Sequence, residues 1–407
     1  MELISRPIVK TLIDNLDYKE FSVIVGPRQC GKTSVLKLIQ NYLEEKSETV
    51  FYISLEDPEI LARLNSHPEE LFSMLPTSNQ KLFVLIDEIQ YLKNPTNFLK
   101  YHFDFHNEKI KIISTGSSAF YIDQKFKDSL AGRKQIYNLY TLSFEEFIQF
   151  KTADSKLISE LNEIRNRENY NSLQIKKLKQ LLDEYLTFGG YPAVVLADNI
   201  DRKKALLTEL SQSFVKRDIL ESGIKNEEKY FFLLKMIAAQ TGSLLNINQF
   251  STSLQLSTTA IDNYITTLRK TFHIHITRPF YRNLKKELTK MPIAYFNDLG
   301  MRNILLNQFQ TVEFRIDKGE LIENFVFLQL RNKYTPEEIR FWRTADGNEV
   351  DFVVSTEFEK GFAIECKFDE NNFSPKKYSK FSDEYPNFPL SVKSYNYTKN
   401  STSLFSI

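Results

Sequence analysis

The residues best suited to chemistry form one short stretch, Gly26 to Thr33, which reads GPRQCGKT. It matches the full pattern G-x-x-x-x-G-K-[ST] and directly follows the apolar run FSVIV. Glycines let backbone N–H groups wrap a phosphate, and the N-terminus of a following helix adds partial positive charge. Lys32 can reach β and γ phosphates, and the Thr33 hydroxyl can hold Mg²⁺. The stretch predicts a nucleotide-binding loop made by Gly26, Pro27, Arg28, Gln29, Cys30, Gly31, Lys32 and Thr33.

Two acidic residues follow a second apolar run, LFVLI, at Asp87 and Glu88. At the end of a buried strand, Asp87 would lie beside Mg²⁺, and Glu88 could polarise the attacking water. In a chain that also has a phosphate loop, this pair predicts ATP hydrolysis. The acid doublet separates this interpretation from a small GTPase or a kinase.

A third apolar run, from Lys109 to Ser114, is followed by the polar residues Thr115, Gly116, Ser117 and Ser118. These groups, Ser117 among them, could sense the γ-phosphate of a bound nucleotide. The alternative is a Ser/Gly loop that caps the next helix.

The elements that must position these residues alternate between apolar runs and amphipathic segments. Central strands that are covered on both faces become continuous apolar runs, so this alternation predicts strand–helix repeats around a parallel sheet. The predicted fold class is α/β, with an ATPase core over residues 1–140. The apolar runs are 21–25, 49–55, 81–88 and 109–115, and the first predicted helix is 32–45.

The remaining chain divides into three predicted regions. Residues 141–225 are rich in charged, helix-period sequence that is interrupted by the turn residues FGGYP. Residues 226–300 show three short helices and then a strand pair, the order of a winged helix-turn-helix. Residues 301–407 open with a helix and continue with strands, which predicts a separate α/β unit.

The winged-helix candidate carries a local excess of positive charge. Residues 258–290 contain seven basic and two acidic residues, a net of +5 in a chain whose formal charge is +1. Basic residues at the end of a recognition helix and in a wing suit contacts to DNA phosphates. The alternative is a solvated basic face of an interdomain bundle. The basic residues are Arg269, Lys270, Arg278, Arg282, Lys285, Lys286 and Lys290.

The C-terminal region contains Asp351, Glu365 and Lys367 in the pattern D-x13-E-x-K on two adjacent predicted strands. Strand alternation places Glu365 and Lys367 on one face, and hairpin-like pairing can bring Asp351 beside them. Two carboxylates could bind Mg²⁺ while Lys367 orients or activates a water, as a phosphodiesterase requires. The alternative is an inactive nuclease fold that serves as a binding platform.

The order of several motifs resembles a prokaryotic group of AAA+ ATPases that carry an appended C-terminal domain of restriction-endonuclease type. The resemblance covers nearly the whole chain. Two minor departures are Cys30, where an aliphatic residue is usual, and Thr141, where Pro is common; neither removes a phosphate ligand. The motifs are GPRQCGKT, FVLIDEIQ, ISTGSSAF, DSLAGR, LSFEEF, FGGYPAVV, KMPIAYFNDLG, KGELIENFVF and FWRTADGNEVDFVV.

This resemblance implies roles for two more residues. Arg133, at the end of DSLAGR, is a candidate arginine finger or sensor, either within the subunit or across an oligomer interface. A solvated, helix-capping Arg133 is the alternative. Glu323 matches the helix acid of PD-(D/E)xK nucleases, which makes Glu323, Asp351 and Glu365 the expected metal ligands.

Composition bounds the class of protein. At 407 residues the chain is too long for one compact core, and 42% hydrophobic with 26% charged residues is ordinary for a globular protein. Two cysteines exclude a disulfide framework and favour a reducing cytoplasm. The opening MELISRPIVK has no signal-peptide pattern, and no apolar run has membrane-spanning length. His102 and His106, spaced i, i+4, are expected to be a surface helix pair.

We therefore expect a cytoplasmic AAA+ ATPase that binds ATP and Mg²⁺, contacts DNA and has a nuclease-like C-terminal domain. A homo-oligomer or a protein partner fits the same expectation, and a membrane does not. The competing hypothesis is a nucleotide-gated protein-interaction switch whose C-terminal domain is only a platform.

Overall fold

The computed structural model describes residues 3–77, 80–116, 130–167, 170–281, 287, 289–357 and 359–407. These form two compact units. The first runs to Tyr140 and includes Lys270–Phe272, and the second comprises Thr141–Arg269 and His273–Ile407. Five residues singled out above, Ser117, Ser118, Arg282, Lys285 and Lys286, lie outside the described residues.

The first unit contains a five-stranded sheet in the order β2-β3-β4-β1-β5, and every pairing in it is parallel. The strands are β1 Phe21–Val25, β2 Thr49–Ser54, β3 Leu82–Asp87, β4 Ile110–Gly116 and β5 Lys134–Asn138. The helices are α1 Pro7–Asp14, α2 Lys32–Glu45, α3 Pro58–Ser66, α4 Glu70–Met74 and α5 Pro95–His106.

The predicted α/β class and parallel sheet are confirmed. All residues of β1, β3 and β4 are buried, as expected when apolar strands are covered on both faces. The register pairs Val25 with Gly116 and Ser54 with Asp87. Because parallel strands end at one edge of a sheet, the residues that follow β1, β3 and β4 meet there.

The second unit is helical in its first half. Its helices are α6 Phe144–Thr152, α7 Ser155–Asn166, α8 Ile175–Phe188, α9 Pro192–Val195, α10 Ile200–Ser222, α11 Glu227–Ala239, α12 Ile247–Leu254, α13 Thr258–Lys270, α14 Leu299–Leu306, α15 Lys318–Arg331 and α16 Ser379–Glu384. Across the described part of the chain, no helix has the length and apolar character needed to cross a membrane.

A six-stranded sheet completes the second unit, in the order β11-β10-β9-β8-β6-β7. It crosses the domain boundary expected at residue 300, because β6 pairs with β8 through Arg278 and Arg340. The three regions predicted within 141–407 remain predictions, but the boundary at residue 300 does not separate two sheets, since β6 and β7 belong to the same sheet as β8 to β11. The strands are β6 Ile274–Pro279, β7 Ile293–Phe296, β8 Ile339–Arg343, β9 Glu349–Glu357, β10 Lys360–Asp369 and β11 Leu390–Asn396.

Close approaches of glycine explain several motifs that carried no obvious chemistry. A Cβ on Gly190 would lie 2.3 Å from the carbonyl oxygen of Leu142, and one on Gly300 would lie 2.0 Å from that of Phe188. The Asp298 carboxylate accepts from Gly190 N at 2.8 Å and caps α14 at Met301 N, 2.9 Å away. The FGGYP, LSFEEF and NDLG motifs therefore meet in one tightly packed joint.

The expectation of a surface histidine pair is wrong for His102. This residue is fully buried on α5, and its Nε2 lies 3.0 Å from the carbonyl oxygen of Pro68. Burial lowers the pKa of His102 to about 4, so the ring is neutral and serves packing.

We predict that Gly190→Ala lowers the free energy of unfolding by about 1–3 kcal/mol, because the added methyl group collides with backbone that cannot move aside cheaply. Gly319→Ala is the matched control, since a Cβ at Gly319 meets nothing within 4 Å in the first turn of α15. Urea denaturation of both variants is the measurement. Equal stabilities would contradict the proposed packing constraint.

Candidate functional site

The phosphate-binding loop lies between β1 and α2, and two residues in it have left-handed backbone. Gln29 has φ 56° and Gly31 has φ 99°, and these two turns direct the chain into α2, which begins at Lys32. Lys32 is buried, and its Nζ donates to the carbonyl oxygens of Gly26 at 3.1 Å and Pro27 at 2.8 Å. The predicted loop residues are therefore assembled as a curved backbone with the lysine folded along it.

Asp87 connects the loop to three strands. Its Oδ2 accepts from the Thr33 hydroxyl at 2.7 Å and from the Tyr52 hydroxyl at 3.1 Å, and its Oδ1 accepts from the Thr115 hydroxyl. Thr33 is the second residue of α2, Tyr52 lies on β2 and Thr115 lies on β4. Burial and proximity to the Asp87 carboxylate raise the pKa of Tyr52. The predicted pair of Thr33 and Asp87 is thus in direct contact.

Glu88 has left-handed backbone, with φ 60° and ψ 49°, which is uncommon for a residue other than glycine. Its N–H donates to the Thr115 hydroxyl at 2.9 Å. Its carboxylate accepts from the side-chain amide of Gln90. Thr115 therefore links both acids, and Gln90 restrains the side chain that was predicted to act on water.

Two contacts of this site were not anticipated, those of Tyr52 and Gln90. Gln90 belongs to the motif FVLIDEIQ, so its place two residues after Glu88 was the available signal. Tyr52 has no comparable signal, because its approach to Asp87 depends on the pairing of β2 with β3.

The predicted arginine, Arg133, lies just before β5 and is partly exposed. It forms an ion pair with Asp104 on α5, with Nε to Oδ1 at 2.6 Å. This contact lies within the first unit. The role of Arg133 as a finger or sensor remains a prediction.

The oxygen atoms present fit Mg²⁺ at the phosphate loop. Mg²⁺ is usually held by one or two carboxylates together with substrate phosphates and water. The Thr33 hydroxyl and the Asp87 carboxylate, already in contact, supply the protein's share of such a ligand set. Bound there, the ion would neutralise phosphate charge.

The second candidate centre is in the C-terminal sheet, where the register brings Asp351 and Glu365 side by side. Ile364 of β10 pairs with Phe352 of β9, so Glu365 and Asp351 are the next two residues to face each other along this antiparallel ladder. A bulge places both Asp351 and Phe352 of β9 opposite one residue of β8. Asp351 Oδ2 accepts from Cys366 N at 2.7 Å, and Lys367 forms an ion pair with Glu365.

Glu323 lies on α15 near the same pair of strands. The Tyr295 hydroxyl donates to its Oε1 at 2.5 Å, and Gly242 packs on its carboxyl group. Burial, and then the charge of Asp351, raise the pKa of Glu323 well above the ordinary value. Burial, and then the charge of Glu365, raise the pKa of Asp351 to about 8. The three predicted carboxyl residues are thus electrostatic neighbours that favour protonation.

The fit of a metal to this second centre is incomplete. Throughout the described residues, no group of three His, Cys, Asp or Glu side chains is arranged to hold a metal ion. Lys367 donates to one carboxylate oxygen of Glu365, and the other oxygen, Oε2, is buried. Within the described ranges, the centre therefore falls short of the ligand set that metal-dependent cleavage requires.

The predicted basic region contains a groove of about 440 Å³ in the second unit. Its walls come from the start of α12, one face of α13, β6 and residues 289–292. Arg269, Arg278 and Lys290 line it together with Asp262. The helices and strands of this region follow the predicted order, with Gln255 at φ 50° in the turn between α12 and α13.

The parallel sheet, the phosphate loop and the Asp87–Glu88 pair give the first unit the arrangement of a P-loop nucleotide-binding fold. Residues 18–148 match a family model described as an AAA domain. Residues 179–311 and 318–403 match two models described as domains of unknown function, DUF8612 and DUF4143.

Similar proteins span most of the chain. An uncharacterized protein of Methanocaldococcus jannaschii is 26% identical over 378 residues, which cover 91% of this chain and 79% of that protein. An uncharacterized protein of Haemophilus influenzae is 25% identical over 414 residues, which cover 98% of this chain and 95% of that protein. The likeness therefore extends beyond the AAA domain.

Solved structures align less closely. ORC1 of Aeropyrum pernix in complex with DNA aligns with a TM-score of 0.33 and 11% identity over 75% of this chain and 94% of its own. The RuvB Holliday junction branch migration motor of Thermotoga maritima aligns with a TM-score of 0.31 and 17% identity over 70% of this chain and 95% of its own.

The buried carboxyl groups of the second centre predict a pH-dependent stability. A raised carboxyl pKa means that the folded chain keeps a proton that the unfolded chain releases, so the free energy of unfolding falls as pH rises from about 5 to 8. We expect Asp351→Asn to make this slope shallower by at most about 1.4 kcal/mol per pH unit, the value for one proton.

Urea denaturation at several pH values measures this slope. Asp346→Asn is the control, because Asp346 is a solvent-exposed aspartate paired with Lys380 in the same unit. Identical slopes for wild type and Asp351→Asn would contradict the assignment of a proton to this centre.

Proposed function

We propose that the chain binds ATP with Mg²⁺ at the first unit, hydrolyses it, and uses the second unit to contact DNA. The observation that carries the ATPase part is the Asp87 carboxylate, which accepts hydrogen bonds from Thr33, Tyr52 and Thr115. These contacts fix an anionic oxygen at the mouth of the phosphate loop. The match of residues 18–148 to an AAA domain supports the same proposal.

The residues of the loop have separate roles in this proposal. Backbone N–H groups around Gly31 and the ammonium group of Lys32 bind phosphate oxygens, so Lys32 must exchange its carbonyl partners for phosphate. Glu88 accepts a hydrogen bond from, and orients, the attacking water once its carboxylate leaves Gln90. Thr115 holds Asp87 and the backbone of Glu88 in register with each other.

We predict that Lys32→Ala weakens ATP affinity about 10- to 100-fold, because it removes charged hydrogen bonds made in the ground state. Glu88→Gln should retain ATP affinity and lose about 100-fold or more in turnover, because Glu88 acts on the water only during hydrolysis. Equilibrium binding of a fluorescent ATP analogue and steady-state phosphate release are the measurements.

Lys37→Ala is the control for Lys32→Ala, since Lys37 is an exposed lysine on the same helix. It should leave affinity and turnover unchanged. Wild-type turnover in Glu88→Gln would remove Glu88 from the reaction, and unchanged affinity in Lys32→Ala would place the nucleotide elsewhere.

The DNA-contacting part of the proposal rests on the groove between α13 and β6. The cationic side chains Arg269, Arg278 and Lys290 line this groove beside the acidic Asp262. A helix beside an antiparallel strand pair, with cations on both, suits the backbone of a nucleic acid. Such contacts supply affinity without sequence specificity.

Neutralising these cations tests the DNA proposal. Changing Arg269, Arg278 and Lys290 together to Gln should weaken DNA binding. It should also flatten the slope of log affinity against log salt by about 1 for each phosphate that the variant no longer neutralises. Fluorescence anisotropy with a labelled duplex and a labelled single strand at several salt concentrations measures both quantities.

A variant with the same net charge is the control for this test. The exposed residues Lys156, Lys376 and Lys377, changed to Gln, remove three charges from other parts of the second unit. If this control loses as much affinity as the groove variant, the groove is not the DNA site. If both bind DNA like the wild type, the DNA proposal fails.

The C-terminal centre favours a platform over a nuclease in its present arrangement, because Lys367 is paired with Glu365 and a three-ligand metal group is not found among the described residues. This is the observation behind the second candidate, a nucleotide-gated interaction switch. The Asp351→Asn variant distinguishes the two. A metal centre requires Mg²⁺ to raise the thermal stability of the wild type at pH 8 more than that of Asp351→Asn, whereas a platform requires the same response in both.

A further inference from the structure

The segment that leaves the ATPase domain packs directly on the phosphate loop. Leu139 N donates to Val25 O at 2.7 Å, and a Cβ on Gly26 would lie 1.9 Å from Leu139 O. The Cys30 thiol lies on the same carbonyl oxygen, with Sγ to O at 3.4 Å. Gly26 and Cys30 of the loop therefore both contact Leu139, which lies two residues before the chain enters the second unit.

Cys30 gains a specific role from this contact. An aliphatic side chain at this position would fill the same buried space without donating to a carbonyl group. The thiol is fully buried, and burial raises its pKa, so it stays protonated and can donate to Leu139 O. The Cys30 thiol thus adds a polar link between the loop and the segment that follows Leu139.

Arg6 supplies a second link. It precedes α1, is buried, and its Nη1 donates to Cys30 O at 2.9 Å and to Tyr140 O at 3.0 Å. One nitrogen therefore joins the phosphate loop to Tyr140, the residue after which the chain enters the second unit. A guanidinium group has the planar set of donors that such a bridge requires, and a lysine ammonium group does not reproduce it.

We propose that Arg6 is a positioning residue that couples occupancy of the phosphate loop to the segment 139–140, by which the chain passes into the second unit. Lys32 holds Gly26 O and Pro27 O, and phosphate binding must draw it away from them. Gly26 and Cys30 then adjust against Leu139, and Arg6 transmits the change at Cys30 O to Tyr140 O. This inference rests on nucleotide binding at Lys32.

Amide hydrogen exchange of the full chain, with and without a non-hydrolysable ATP analogue, tests the coupling. In the wild type the analogue should change exchange of the amides of residues 139–142 by about fivefold or more. Arg6→Lys should bind the analogue within about threefold of wild type and lose most of that exchange difference, whereas a purely structural role would change exchange equally with and without the analogue.

Two further variants complete the design. Arg63→Lys changes an exposed arginine of the same unit that pairs with Glu70, and it should keep the wild-type difference. Cys30→Val removes only the thiol link and should reduce the analogue-dependent difference in amide exchange, but not abolish it. This variant also serves as the test if Arg6→Lys does not fold.

The outcomes separate this inference from the proposed function. Absence of analogue binding in the wild type would refute the proposed function. Binding without an exchange difference at 139–142, or a difference retained in full by both Arg6→Lys and Cys30→Val, would overturn the coupling alone.

Discussion

The Asp87 carboxylate is the constraint on which the first unit's site depends. A buried anion at the end of β3 must be satisfied, and hydroxyl groups from α2, β2 and β4 satisfy it. Those hydrogen bonds require that the strands end at one edge in a fixed register, which the parallel pairings provide. The phosphate loop, the backbone of Glu88 and the end of β4 are therefore positioned by one side chain.

The C-terminal centre presents the opposite electrostatic situation. Asp351, Glu365 and Glu323 are buried near one another, and burial raises the carboxyl pKa of each. Nearby like charge raises the pKa of Glu323 and Asp351 further. Three hydroxyl groups donate to Asp87, whereas in the C-terminal centre burial opposes ionisation. Such a cluster is stable with protons, with a paired cation such as Lys367, or with another cation in its place. The chemistry open to this centre therefore depends on whether protons, Lys367 or another cation balance its carboxyl groups.

Many of the quoted motifs serve packing rather than chemistry. Gly190 and Gly300 allow backbone segments to touch, and the Asp298 carboxylate accepts a hydrogen bond from Gly190 N. Asn303 donates to the carbonyl groups of Leu186 and Thr187 at 2.8 and 2.9 Å. Each of these polar side chains is buried and is satisfied by a partner distant in the sequence. These motifs outside the first unit therefore hold backbone segments together, and the functional argument must come from the sites.

The sequence by itself determined the phosphate loop, the strand that ends in Asp87 and the α/β class, because these follow from local backbone requirements and from the burial of short apolar runs. Only the tertiary structure decided that Tyr52 reaches Asp87, that Arg6 bridges the loop to Tyr140, and that His102 is buried. It also placed β6 and β8 in one sheet across an expected boundary. Such contacts depend on strand register and on partners far apart in the chain, and a residue's type and local spacing carry no information about either.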